Sequence, residues 1–172
     1  MIFGFGSLIT HPGFDYSERV QPCYIRGWRR VFHQGSTDHR GVPEAPGRTV
    51  TLERCEGAVT WGAAFRLAGD AEQRRRTWEY LEWREKQYDL RLKVPVYTAA
   101  TGARQPRLVA LTFVATADRA ANPNFLGPAP LEEVARQIAT ARGPSGPNSE
   151  YLFRLADAMR GMGVQDEELF VL

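Results

Sequence analysis

What this chain lacks narrows its chemistry first. It has two cysteines, Cys23 and Cys55, in 172 residues. That is too few for a disulfide scaffold, and their spacing is not that of a metal knuckle. A reduced, intracellular protein follows, with the cytoplasm as the expected compartment. Lysine occurs only at positions 86 and 93, and Lys plus Arg outnumber Asp plus Glu by only 22 to 20. Such balance argues against a nucleic-acid partner, whose affinity rests on a concentrated cationic surface. No apolar run approaches the roughly 18 residues of a membrane-spanning helix, so no membrane partner is expected. The amino terminus has neither a basic flank nor a small-residue cleavage site and does not read as a secretory signal. What is present, 43% hydrophobic and 24% charged residues, fits a globular domain. The length suits one domain, 1–172, able to bury roughly 70% of its unfolded surface without disulfides or metals.

The apolar run Ile2 to Ile9, broken by Gly4 and Gly6, predicts a strand entering a glycine-permitted turn. Tyr24 to Phe32 reads as a second strand, and Thr49–Glu53 and Ala58–Leu67 as two more. Between them Gln34 to Arg48 holds three glycines and two prolines with little to bury. It reads as a long loop, a kind that is uncommon in compact domains and often functional. Asp70 with Gln73 predicts a capped helix running to about Lys86. Val94–Thr98 and Leu108–Thr116 read as strands, and Leu131–Arg142 as a helix with Glu132 and Glu133 near its positive end. A last helix, capped by Asn148, runs to about Met162. Strands come mostly first and helices later, which favours α+β over a regular βαβ alternation.

The common catalytic and phosphate motifs are missing. Gly4-Phe5-Gly6 lacks the third glycine of a dinucleotide fingerprint, there is no Gly-Lys-Ser/Thr, and Gly143-Pro-Ser-Gly146 is misspaced for a nucleophile elbow. The Gly-Ser-Leu turn can aim backbone N–H groups at an anionic point, or serve only to reverse the chain. His33 and His39 do not have helical ligand spacing and bring no carboxylate cluster, so no metal site is expected. Ser36, Asp38 and His39 lie too close in sequence to converge readily as a triad. The cysteines read as small buried residues. Trp78, Leu81 and Glu85 share one helical face, while Glu79 and Glu82 project elsewhere. Two readings of Glu85 stand side by side: a desolvated proton acceptor, or a surface glutamate paired with Arg84 or Lys86.

Five segments carry a resemblance when taken together. They are Phe3-Gly-Phe-Gly-Ser-Leu-Ile9; Gln34-Gly-Ser-Thr-Asp-His-Arg-Gly41 with Pro46-Gly-Arg48; Tyr80-Leu-Glu-Trp-Arg-Glu-Lys86; Asn122-Pro-Asn-Phe-Leu-Gly-Pro-Ala-Pro-Leu131; and Gly143-Pro-Ser-Gly-Pro-Asn148 with Tyr151-Leu. In this order the chain resembles the ChaC family of γ-glutamylcyclotransferases, its glutathione-specific branch. The resemblance implies a small mixed β-barrel with surrounding helices. It also implies a cofactor-free, amide-cleaving lyase reaction that takes reduced glutathione to 5-oxoproline and cysteinylglycine. It puts the catalytic glutamate at Glu85 and the substrate pocket along Ile2, Phe3, Gly4, Phe5, Gly6, Ser7 and Leu8. Asp38 and Arg40 on the long loop would meet substrate charges or hold the loop together by pairing. Two departures stand out: Phe5 replaces the usual tyrosine, and Gln87-Tyr88 replaces a longer, glycine-containing segment. Two alternatives stay open, a cyclotransferase for other γ-glutamyl amines and a non-catalytic binding domain on the same fold.

Overall fold

The computed structural model describes residues 1–99 and 105–172. Its frame is a long antiparallel pair, β2 (Tyr16–Ser36) and β3 (Gly47–Leu67), in register from Tyr16↔Leu67 to Ser36↔Gly47. The pair is longer than the sequence suggests at both ends, so the expected 34–48 loop shrinks to residues 37–46. In mid-strand, residues 55–58 bulge opposite Gly27 (φ 75°), with Gly57 at φ 78°. That bulge explains why the pattern breaks between Glu53 and Ala58 although the strand continues.

β1 (Ile2–Gly4) lies between β3, antiparallel through Ile2↔Phe65, and β5 (Leu108–Val114), parallel through Ile2↔Leu111. β4 (Leu90–Val96) flanks β5, giving the order β2-β3-β1-β5-β4. The expected barrel is not closed. Among the described residues the two edges are hydrogen-bonded only at Tyr24 and Tyr97, which exchange hydrogen bonds of 2.9 and 2.8 Å. The next hydrogen-bonded pairs in that register would be Pro22 with Ala99 and Arg26 with Pro95. Each contains a proline with no N–H to give, so the seam stops at one bridge.

Helices cover the sheet: α1 (Ala71–Arg84), α2 (Leu131–Thr140), α3 (Asn148–Gly161) and α4 (Glu167–Phe170), with a two-strand ribbon of β6 (Arg142–Gly143) and β7 (Gly146–Pro147). Phe3, Phe32, Val50 and Val96 pack with Ile138, Leu152, Leu155 and Met159 in the main core. A smaller cluster of Ile2, Leu8, Leu81 and Phe113 seats α1. Buried Arg30 fastens α4 by donating to Asp166, whose carboxylate also caps that helix. Among the described residues no helix is long and apolar enough to cross a membrane.

Asn148 differs from expectation. Pro147 takes the cap position of α3, and the fully buried Asn148 side chain clamps β3 instead. It accepts from Arg48 N–H at 2.6 Å and donates to Arg48 O at 2.8 Å. Asn148→Ala leaves both backbone groups unpaired, so unfolding free energy should fall by about 2–4 kcal/mol in denaturant titration. A simple helix cap would lose only about 1 kcal/mol.

Candidate active site

The capping box starts α1 as its sequence dictates: Gln73 N–H donates to Asp70, and the Gln73 side chain accepts from Asp70 N–H. From that start, 3.6-residue periodicity aims Trp78, Leu81 and Glu85 inward. Trp78 stacks on Phe113 with ring centroids 5.7 Å apart, and Leu81 is fully buried. Glu85 closes the helix, its N–H donating to Leu81 O at 2.8 Å. Glu79 and Glu82 point to solvent and face Arg75 and Arg91.

The Glu85 side chain is only 12% exposed and forms a wall of a cavity of about 380 Å³. The same cavity is lined by Gly6 and Ser7, where the chain leaves β1 and winds into a short 3-10 helix, Ser7–Ile9. Gly4 has to be glycine for this reversal, because a Cβ there would sit 2.7 Å from Leu8 Cβ. The fold thus brings residues 6–7 and 85 to one cavity. Phe3, Gly4, Phe5 and Leu8 line a recess of about 30 Å³ that shares Gly6, Ser7 and Glu85 with the main cavity. Ile2 lines neither. It is a core residue, 3% exposed, packed with Leu8, Leu81 and Phe113.

Arg40 lines the cavity while donating to Pro147 O at 3.0 Å and pairing with Glu150 at 3.2 Å. Asp38 is not among the lining residues. It pairs with Lys86 at 3.1 Å, and its charge raises the pKa of Glu85. His33 and His39 do not converge: His33 faces Glu53, and His39 lies 3.2 Å from Ser145 Oγ.

Sequence reasoning missed two tyrosines. Tyr88 donates to Val50 O at 2.8 Å, and the Tyr151 hydroxyl accepts from Val50 N–H at 3.3 Å. Together they hold the N–H and C=O of one residue of β3 and line the cavity. Both lay inside motifs already noted, but nothing local marks which residue they would meet. Behind them, buried Gln34 and Asn122 exchange amide hydrogen bonds of 3.2 and 2.8 Å. Gln34 also donates to Gln87 O at 3.1 Å, and Gln87 donates to Thr37 Oγ1 at 2.9 Å.

Burial lifts the Glu85 carboxyl from its usual 4.5 to about 6; Arg84 opposes the rise and Asp38 adds to it. The result is a carboxylate that is ionised at neutral pH yet holds a proton far better than an exposed one. Burial raises Tyr151 to about 12 and Tyr88 well above its ordinary value, so both phenols remain neutral.

A family model described as ChaC-like protein matches residues 1–172. Gamma-glutamylcyclotransferase 2-3 of Arabidopsis thaliana is 45% identical over 168 residues, covering 98% of this chain and 83% of that protein. Glutathione-specific gamma-glutamylcyclotransferase 1 of Danio rerio is 44% identical over 171 residues, covering 98% and 84%. The crystal structure of a γ-glutamylcyclotransferase specific to glutathione from yeast matches with a TM-score of 0.84 at 30% identity, covering 99% and 92%.

The buried charge has a consequence for stability. Because folding raises the Glu85 pKa, the folded state favours the protonated form. Its contribution is favourable at low pH and is lost as pH rises through about 6. Above that pH the ionised carboxylate opposes folding by about 2 kcal/mol. Glu85→Gln should therefore stabilise the protein by up to that amount at pH 8. The gain should vanish near pH 4.5, and paired denaturant titrations at the two pH values measure the difference.

Proposed function

This chain belongs to the ChaC-like family, and on that premise we propose that it is a cytoplasmic, single-domain γ-glutamylcyclotransferase that cleaves reduced glutathione to 5-oxoproline and cysteinylglycine. The observation that carries the reading is the Glu85 carboxylate, nearly dry and poised near neutrality in a cavity that it lines together with the Gly6–Ser7 turn.

The substrate supplies its own nucleophile. Folding the γ-glutamyl α-amine back onto the γ-carbonyl closes a five-membered lactam, and holding that conformer exploits effective molarity. No serine or cysteine nucleophile is needed. An ammonium cannot attack, so Glu85 takes its proton, and the amine then adds to the carbonyl carbon. N–H groups of the Gly6-Ser7-Leu8 turn stabilise the resulting oxyanion. As the amide C–N bond breaks, Glu85 returns that proton to the departing cysteinylglycine nitrogen. The ring nitrogen then sheds its second proton through the same carboxylate to the released amine, leaving a lactam N–H and an ammonium. Two protons thus pass from the α-nitrogen to the leaving nitrogen, and the steps balance with no cofactor and no water. Phe3, Gly4, Phe5 and Leu8 back the turn from the recess, and Arg40 faces a substrate carboxylate. Asp38 acts through Glu85, its negative charge helping the carboxyl to hold a proton.

Glu85→Gln should lower turnover by at least about a hundredfold with the fold intact, whereas Glu79→Gln and Glu82→Gln should stay near wild type. Equal losses in all three would assign the base wrongly. Cyclisation is separable from hydrolysis by isotope: in ¹⁸O-labelled water the 5-oxoproline should carry no label by mass spectrometry. Glutathione acetylated on its α-nitrogen should be inert, yet still compete with the substrate. Labelled 5-oxoproline, or glutamate as first product, would make the protein a hydrolase.

A further inference from the structure

Arg84 joins the two walls of the cavity. Its Nη1 donates to Pro12 O at 2.6 Å and its Nη2 to Ser7 Oγ at 3.2 Å, while Nε lies 3.3 Å from Glu85 Oε1. The side chain is 14% exposed. Residues 7–13 are drawn tightly over this end of α1: at Gly13, φ 74°, a Cβ would stand 2.7 Å from both Arg84 Nη1 and the Tyr80 hydroxyl. The other end of the helix is loosely held, with Ala71 to Arg76 all exposed and Leu81 its one fully buried residue.

We infer that Arg84 is a positioning residue: its guanidinium ties the end of α1 to the Ser7–Pro12 segment and so fixes the Glu85 carboxylate against the Gly6–Ser7 wall. The inference rests on the role proposed above for Glu85. Guanidinium suits the task because its fork reaches two acceptors and still presents Nε to a carboxylate. An ammonium is a single point charge on a flexible stem. The groups facing Glu85 are Arg84 on its own helix, Asp38 on the β2–β3 loop, Tyr88 on the following segment and Tyr151 on α3. Lys86 is engaged with Asp38. Among these, Arg84 is the cation in contact with Glu85.

The test is steady-state turnover of glutathione between pH 5 and 9 for wild type, Arg84→Gln, Arg84→Lys and the exposed control Arg76→Gln. Arg84→Gln should lower kcat about 10- to 100-fold with little change in KM, the mark of misplaced rather than weakened binding. Its acid limb in kcat/KM should move up by about one pH unit, because the cation that favours ionised Glu85 is gone. Arg84→Lys should leave that limb at its wild-type position but recover kcat only in part, and Arg76→Gln should change neither. Loss of kcat without movement of the limb would reduce Arg84 to a structural strut. A raised KM at unchanged kcat would make it a substrate ligand, and full recovery in Arg84→Lys would remove the need for the fork. Each of these overturns the inference. The Glu85 carboxyl titration, read by ¹³C NMR on glutamate-labelled protein, does not depend on turnover. If wild type fails to cleave glutathione, the proposed function falls, and this titration still decides whether Arg84 governs Glu85. Should Arg84→Gln not fold, Arg84→Lys still decides: a partial loss of kcat at unchanged KM supports the positioning role, and full wild-type kcat overturns it.

Discussion

Glu85 is held between opposed influences, and much of the site follows from their balance. Burial drives its carboxyl toward neutrality and Asp38 reinforces that, while Arg84 pulls toward the ion. In the role proposed for it, a drier pocket would leave the group protonated and useless as a base, and a wetter one would leave it too weak to hold a proton through amide cleavage. A pKa near 6 needs a helix that ends beneath a second piece of chain, so that the last side chain is covered without being sealed. The short cluster of Ile2, Leu8, Leu81 and Phe113 provides that seat.

The covering piece is the segment after β1, and its position is set by the sheet. β1 pairs on both sides through the same residue, Ile2, with β3 and β5. Ile2 thus anchors the segment to both neighbours while its side chain packs with Leu8, Leu81 and Phe113. The incomplete seam between β2 and β4 lies elsewhere, closed by one Tyr24–Tyr97 bridge and flanked by prolines. Arg26 covers this bridge, its guanidinium 4.6 Å from the Tyr97 ring centre. The sheet is curled enough to bring its edges together, yet its core does not depend on a continuous barrel.

Local signals in the sequence were readable where local physics decided the outcome. The Asp70–Gln73 box, the inward stripe of Trp78, Leu81 and Glu85, and the outward Glu79 and Glu82 all follow from helical period. The break between Glu53 and Ala58 was visible too, though it marks a bulge and not the end of a strand. What escaped were contacts between distant residues. Asn148 has the chemistry of a helix cap, and only the fold reveals that its amide is engaged by Arg48, 100 residues away. Tyr88 and Tyr151 meet Val50 across 38 and 101 residues. Tyr16 to Gln21 gave little strand signal because the segment is mostly exposed, and its pairing with β3 supplies what its pattern does not.

The segment after Lys86 shows how a departure in sequence is absorbed. Where a glycine-containing stretch would be supple, Gln87 is tied at its carbonyl by Gln34 and at its side chain to Thr37. Gln34 is itself paired with Asn122, and both are essentially buried. A buried amide pair of this kind is costly to disturb, since separating it strands donors and acceptors away from water. Tyr88 follows directly and reaches Val50, so β2, β3 and the end of α1 are joined through side-chain amides and one phenol. Rigidity that the backbone sequence does not dictate is thus supplied by hydrogen bonds. In the proposed reaction, whose nucleophile already belongs to the substrate, that rigidity matters more than any reactive side chain, because the protein's task is to hold one conformer beside one carboxylate.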